Sequence, residues 1–207
     1  MKEKITTVFV VDDDEAVRTS LKLLLRSVGL PVETCVSAQE FLDRFDAERP
    51  GCLVLDIRMP GMSGLELQER LNAMHAMIPV VFITGHGDVP MAVEAMQHGA
   101  VDFIQKPFRD QDLLDRINQA LEKDRDNRAG LRERDNIRAR IADLTPREKE
   151  VMDLVTAGKA NKIIAGDLDV SQRTVEIHRA RVMEKMGASS LAHLVRMIIA
   201  AGEVTPN

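Results

Sequence analysis

The sequence lacks a long apolar run. No stretch approaches the roughly 18–20 residues that a membrane span needs, and the opening MKEKITTVFVVDDDE has too short an apolar segment, with acids behind it, for a signal peptide. A cytoplasmic location is therefore expected. Cysteine is scarce. Cys35 and Cys52 have no metal-ligand spacing and sit in apolar, strand-like runs, which predicts buried free thiols in a reducing compartment. No glycine-rich turn follows the first apolar run; VDDDE stands there instead, acidic where a pyrophosphate would sit, so a dinucleotide enzyme is excluded. No internal repeat recurs at a period of about 20–50 residues. A large excess of one charge is missing too, since the net charge over 207 residues is −5.

That charge is unevenly spread. Residues 1–123 carry 13 Lys and Arg against 20 Asp and Glu, a net of −7, and residues 124–207 carry 15 against 13, a net of +2. An acidic first part and a mildly basic second part predict two modules with different partners. The basic excess is too small to establish nucleic-acid binding by itself.

In the first part strand and helix signals alternate. TTVFVVD is an apolar run ending in acids; Val17, Leu21, Leu24, Leu25 and Val28 then recur at helical spacing and stop at Gly29. PVETCV, CLVLD, IPVVFIT and VDFIQ read as further strands. SAQEFLDRF capped by Ser37, SGLELQERLNAM, DVPMAVEAMQHG with Asp88 as cap and Gly99 as stop, and a segment from Asp110 read as further helices. Five strands alternating with five helices predict an α/β domain, doubly wound around a parallel sheet.

Residues 124–142 are charged nearly throughout and predict a solvated helical linker. A coiled-coil stalk would need a sustained apolar seam, which is missing. From residue 143 to 207 the pattern is all-helical. Thr145 caps a helix with Pro146 in its first position and Glu148 completing a capping box, ending at Gly158. Asn161 opens a short second helix. Ser171 caps a third, ended by Gly187, and Ser190 opens a fourth with Leu191, Leu194, Val195, Ile198 and Ile199 on one stripe.

Ligands of a parallel α/β sheet bind beyond the carboxyl ends of its strands. Asp12 and Asp13 end the first strand, Asp56 the third, Thr84 the fourth and Lys106 the fifth. A single acid at such a place is most often a loop cap. Three acids facing a lysine and a threonine are not explained that way. Three carboxylates repel unless a cation joins them, and oxygen ligands suit Mg²⁺ or Mn²⁺. A carboxylate beside such an ion can attack phosphorus to form an aspartyl phosphate. The ion and Lys106 would hold the charge of the transferring oxygens, and Thr84 can donate to the new phosphoryl group. A haloacid-dehalogenase-type phosphatase also uses a strand-end Asp but wants a second Asp two residues on, where this chain has Arg58.

The stretches VVDDDEAVR, LVLDIRMPGMSG, VFITGHGDVPMAVEAM and GAVDFIQKPF resemble the receiver domain of two-component response regulators over about residues 5–123. The resemblance implies a flavodoxin-like receiver in which a sensor histidine kinase phosphorylates Asp56. It implies Asp13 as main metal ligand, with Asp12, Asp56 and the backbone carbonyl of Arg58. It implies Thr84 and Phe103 as a switch pair, and Lys106 as reader of the phosphoryl group through a cis Lys106–Pro107 peptide. No turnover of an external substrate is expected, only self-dephosphorylation.

On the third helix of the second part, at 100° per residue, Val175, Val182, Met183 and Met186 form one apolar stripe. Arg173, Ile177, Ala180, Arg181 and Glu184 lie opposite, flanked by Glu176, His178 and Lys185, with Thr174 near the helix start. That pattern fits the recognition helix of a helix-turn-helix as well as a solvated helix of any four-helix domain. The stretch LTPREKEVMDLVTAGKANKIIAGDLDVSQRTVEIHRARVMEKMGASSLAHLV resembles the LuxR-type DNA-binding domain, most of all in its FixJ branch. Gly166 stands where Ala is more usual. With the third helix docked as a recognition helix, the angular reading gives Arg173, Thr174, Glu176, Ile177, His178, Ala180, Arg181 and Lys185 as the DNA-facing set. The resemblance also implies dimerisation of the phosphorylated receiver through its fourth helix and fifth strand, binding to paired half-sites of double-stranded promoter DNA, and RNA polymerase as a partner. The alternative is a phosphoryl-relay or protein-interaction protein whose helical part binds a protein. His75, His86, His98 and His193 are scattered and form no catalytic pair; Met91, Met96, Met183, Met186 and Met197 read as core or interface fillers.

Overall fold

The computed structural model describes residues 4–85 and 89–202. Asp88, the expected cap of the fourth helix, and His86 lie outside the described residues. The chain divides into two compact units, residues 1–128 and 129–207.

The first unit is a five-stranded parallel sheet in the order β2-β1-β3-β4-β5. Its strands are β1 (Thr7–Val11), β2 (Val32–Cys35), β3 (Gly51–Asp56), β4 (Val80–Thr84) and β5 (Asp102–Gln105). Its helices are α1 (Glu15–Ser27), α2 (Ala38–Arg44), α3 (Gly64–Ala73), α4 (Val89–Gln97) and the beginning of α5 (Asp110–Ala142). Strand side chains alternate between faces, and the strands are apolar on both, as a sheet covered on both sides requires. Phe9, Val11, Leu53, Leu55 and Phe82 pack with Phe41 of α2, Leu67 of α3 and Ala95 of α4. Val8, Val10, Val54, Val81 and Ile83 pack with Leu21 and Leu25 of α1 and Leu113 and Ile117 of α5. The strand order reverses between β1 and β3, so their carboxyl ends open a crevice between the turns that follow them. This is the doubly wound architecture expected from the alternating pattern, in the flavodoxin-like form that the resemblance implies. Both cysteines are buried and free, and burial pushes the Cys35 thiol up to about 11 and the Cys52 thiol up further, as suits inert core groups.

The opposite end of the sheet is pinned by a residue that the charge pattern assigns to the linker. The buried Asp124 accepts the Gly51 N–H at 2.9 Å and the Arg128 Nε at 2.8 Å, and Arg128 donates to the carbonyls of Ala47 and Arg49. The division between units accordingly falls after Arg128, beyond the expected boundary at 123.

The second unit takes the end of α5 together with α6 (Pro146–Thr156), α7 (Asn161–Asp167), α8 (Gln172–Met186) and α9 (Leu191–Ala201). Ile137 and Ile141, at the end of the expected solvated linker, are buried with Leu144, Met152, Val182 and Met186. Arg138 and Arg140 donate to the last carbonyls of α9 and α8, which have no partner within their own helices. The local stop and start signals behave as local chemistry dictates. Thr145 and Glu148 form a reciprocal capping box, Ser171 and Ser190 cap their helices, and Gly187 and Gly202 end theirs in the left-handed conformation. The α9 stripe differs from expectation. Leu194, Met197, Ile198 and Ala201 are buried, whereas Leu191 and Ile199 are exposed. The burying face runs at i, i+3, i+4, i+7 from Leu194, and those two residues fall off its edges.

Candidate functional site

The buried Asp12 follows the last residue of β1, and the buried Asp56 is the last residue of β3. Because β1 and β3 are paired in register, with Val11 opposite Leu55, the two carboxylates come out side by side. Lys106 lies one residue past β5, and its ammonium joins them, 2.8 Å from Asp12 Oδ2 and 2.9 Å from Asp56 Oδ1. The other oxygen of each carboxylate accepts a backbone N–H, Asp12 Oδ1 from Asp14 at 2.9 Å and Asp56 Oδ2 from Arg58 at 2.7 Å. Asp13 is exposed at the mouth. Thr84 is buried at the end of β4, and its carbonyl accepts the Lys106 N–H at 2.7 Å. Phe103 is half-buried on β5, against the core on the α3–α4 side of the sheet. The Lys106–Pro107 peptide is cis. The five strand-end groups expected to converge are thus gathered at one edge of the sheet.

Burial disfavours the charged form of Asp56 and, despite the lysine beside it, holds its pKa above the usual carboxylate range. Burial also acts against the Lys106 ammonium, but its hydrogen bonds to Asp12 and Asp56 outweigh that and hold its pKa above the ordinary value. Three carboxylates and one ammonium leave an excess of negative charge that a divalent cation would neutralise. The donor set is all oxygen, which fits a hard ion such as Mg²⁺ rather than a thiolate- or imidazole-seeking one.

Three further residues shape this pocket without being legible as site residues in the sequence. Arg18 donates to the Asp12 carbonyl at 2.8 Å, tying the β1–α1 turn to α1, and the Asp14 side chain caps that helix. Gly64 opens α3 so close to β3 that a Cβ there would stand 2.3 Å from the Asp56 carbonyl oxygen. Only the Ser-Gly pair at a helix start hints at the last of these; the Arg18 contact leaves no local signature.

On α8, Val175, Val182 and Met186 are buried and Met183 half-buried, as the angular reading requires. Arg173, Glu176, Ile177, Ala180 and Arg181 are placed on the outer side of the helix and are all exposed, and Thr174 is half-buried. Two members of the expected outer set are differently placed. His178 is half-buried with its Nδ1 enclosed. Lys185 turns toward α6, bonding Glu148 at 2.7 Å and the Asp143 carbonyl at 3.1 Å. The reason is the capping box, whose carboxylate is buried and needs a counter-charge. The Lys185 bond, then the Thr145 N–H, hold the Glu148 carboxyl down at about 2. An acid depressed in the fold contributes stability above its ordinary 4.5, and that contribution is lost as pH falls from there toward 2. Lys185→Met is therefore expected to lower the melting temperature of the helical unit at pH 6, with the difference from wild type shrinking by pH 3. Calorimetry of the full chain checks this; a gap that does not depend on pH would show that the ion pair is not its source.

A parallel sheet presenting two paired carboxylates and a lysine, followed by a helix-turn-helix unit, defines a phosphoacceptor module joined to a DNA-binding one. Residues 8–118 match the response regulator receiver domain and residues 142–198 match the bacterial regulatory proteins of the luxR family. The chain belongs to the two-component response regulators with a LuxR-type output domain, and it is a phosphorylation-controlled transcriptional regulator. It is 52% identical over 196 residues to the transcriptional regulatory protein FixJ of Rhizobium meliloti, covering 95% of this chain and 96% of that one. It is 50% identical over 190 residues to nodulation protein W of Bradyrhizobium diazoefficiens, covering 92% and 84%. Among solved structures it is similar to the response regulator StyR, at 49% identity with a TM-score of 0.84, covering 94% of this chain and 98% of that one. Full-length FixJ from B. japonicum matches at 45% identity and a TM-score of 0.59, covering 97% and 99%.

Proposed function

We propose that Asp56 is the phospho-acceptor, and that its phosphorylation by a partner histidine kinase drives binding of paired promoter half-sites through α8. The observation that carries this reading is the Lys106 ammonium held between the Asp12 and Asp56 carboxylates at the carboxyl edge of the sheet. Asp12, Asp13, Asp56 and the Arg58 carbonyl would hold Mg²⁺, which when bound supplies charge neutralisation for the transferring phosphoryl oxygens. A carboxylate oxygen of Asp56 attacks phosphorus in line, the phosphorus–nitrogen bond of the kinase phosphohistidine breaks, and the imidazole leaves with the electron pair. Lys106 then pairs with a phosphoryl oxygen and Thr84 donates to another. The movement of Thr84 couples to Phe103 and changes the α4–β5 face. Val93 and Met96 on α4 are 49% and 46% exposed, apolar surface suited to receiver dimerisation. The protein works in the cytoplasm, hydrolyses its own acyl phosphate and meets RNA polymerase on DNA; no helix among the described residues is long and apolar enough to cross a membrane.

Within the DNA-facing set, exposed Arg173 and Arg181 reach phosphates, Ile177 and Ala180 face base edges, and Thr174 and Glu176 line the helix start. Lys185 and His178 drop to supporting roles. Salt-titrated binding of the full chain, treated with a small phosphodonor and Mg²⁺, to cognate and random DNA tests the reading. Treatment should tighten cognate binding and EDTA should prevent the gain. Arg181→Ala should weaken both complexes alike and reduce the salt slope by about one unit. Ile177→Ser should narrow the cognate-to-random gap by about 1–3 kcal/mol. An unchanged gap would mean that another face of α8 meets the groove.

A further inference from the structure

We propose that Glu69, Glu94 and His98 form a second cation site, for an imidazole-seeking ion of the zinc class, which joins α3 to α4. The site uses none of the residues of the acidic pocket and does not depend on the role given to Asp56. One ligand atom from each of the three residues lies within 4.8 Å of the other two. Glu94 and His98 are four residues apart, and the His98 N–H donates to the Glu94 carbonyl at 3.0 Å, so the last helical turn stacks the two side chains on one face. Glu69 comes from α3.

A second observation points the same way. The His98 Nδ1 is buried and finds no hydrogen-bond partner among the described residues. A buried ring nitrogen is ordinarily satisfied, and an orphaned one calls for an unseen partner. Neither carboxylate is held in an ion pair among the described residues. Two like charges and an imidazole therefore sit together with no cationic side chain of the described residues paired to them.

The frame around the triad is fixed from α3. Gln68 Nε2 donates to the Ala95 carbonyl at 3.2 Å and Asn72 Nδ2 donates to the His98 carbonyl at 2.9 Å. These two amides hold the backbone between the two α4 ligands, at Ala95, and at His98 itself. Zinc bonds of about 2.0–2.2 Å place neighbouring tetrahedral ligands about 3.4 Å apart. The ligand atoms must therefore close by up to about 1.4 Å from their present spacing, which the exposed Glu69 and Glu94 side chains can supply by rotation. One nitrogen and two carboxylate oxygens leave the fourth position to water. The donor set differs in kind from the all-oxygen pocket, so the two sites sort ions: Mg²⁺ to the strand ends, a zinc-class ion to the helix pair. An ion there clamps the end of α4 to α3.

Calorimetric titration of the full chain with ZnCl₂, in excess MgCl₂, tests the assignment. One Zn²⁺ per chain is expected, weakened about tenfold or more in both His98→Gln and Glu94→Gln. Zn²⁺ should also raise the melting temperature of wild type and leave that of His98→Gln unmoved; Glu94→Gln, on an exposed position, serves if the histidine variant folds poorly. No uptake by wild type would overturn the proposal. So would equal uptake by wild type and both variants, or uptake lost only in Asp13→Asn, which would place the ion in the acidic pocket.

Discussion

Asp56→Asn is expected to abolish phosphoryl labelling and, in buffer free of Mg²⁺, to raise the melting temperature at pH 7. The first half follows from removing the nucleophile, because an amide oxygen between Lys106 and the Arg58 N–H does not attack phosphorus. The second half follows from the direction of the Asp56 shift. Burial lifts its pKa above the ordinary 3.8, so the folded chain binds its proton more tightly than the unfolded chain. A carboxyl raised in this way adds nothing unfavourable below 3.8, and stability is lost as pH rises from there through the folded value. Asparagine carries no such penalty at any pH. Lys106 keeps Asp12 at 2.8 Å, so the variant does not strand the ammonium. The advantage should shrink as pH falls toward 4 and should narrow when Mg²⁺ is added, since the ion favours the wild-type charge set. Mass mapping of the acyl phosphate and thermal melts with EDTA or Mg²⁺ check both halves. Label persisting at another residue would refute Asp56 as the acceptor, and a variant melting below wild type at pH 7 in EDTA would refute the penalty assigned to burying its charge.

Gly51→Ala is expected to cost the receiver unit about 3 kcal/mol or more. Gly51 opens β3 opposite Thr7 of β1, with φ at +156°. A Cβ there would stand 1.9 Å from the Thr7 carbonyl oxygen and 3.0 Å from its carbon. Both are backbone atoms of a paired strand, so no side chain can swing aside and the β1–β3 pairing itself must open. Gly166→Ala is the contrasting case. That glycine lies inside α7, and an added methyl carbon would meet nothing within 4 Å, so alanine should stabilise the helical unit by about 0.5–1 kcal/mol. Urea unfolding of the full chain, following each unit, reads both signs. Equal and small effects at the two positions would show that β1 and β3 tolerate the added methyl.

The strand ends, and hence most of the acidic pocket, are legible in the sequence because β1 and β3 are apolar up to the acid that enters the crevice and β5 ends one residue short of its lysine. Val11 before Asp12, Leu55 before Asp56 and Gln105 before Lys106 place those side chains once the strands are parallel. Caps at Ser37, Thr145, Ser171 and Ser190 are legible for a different reason: the side chain bonds a backbone N–H three residues on, so the whole interaction fits in one short word. What stays hidden is bonded across distance. Asp124 meets Gly51 73 residues away and Lys185 meets Glu148 37 residues away. In a charge pattern both read as solvent-facing, because nothing nearby in sequence shows that the partner is buried. The α9 stripe misleads for a related reason, as Leu191 and Ile199 are apolar but fall outside the arc that the core covers.

The Asp124–Arg128 contact also decides where the receiver can be cut. The receiver match ends at residue 118 and the acidic half at 123, so a truncation designed from either would stop before Asp124. Such a fragment would keep every residue of the acidic pocket yet leave the Gly51 N–H without its acceptor and the carbonyls of Ala47 and Arg49 without their donor. The smallest self-sufficient receiver therefore ends after Arg128. Its last five residues belong to it by hydrogen bonding, although their composition assigns them to the segment that follows.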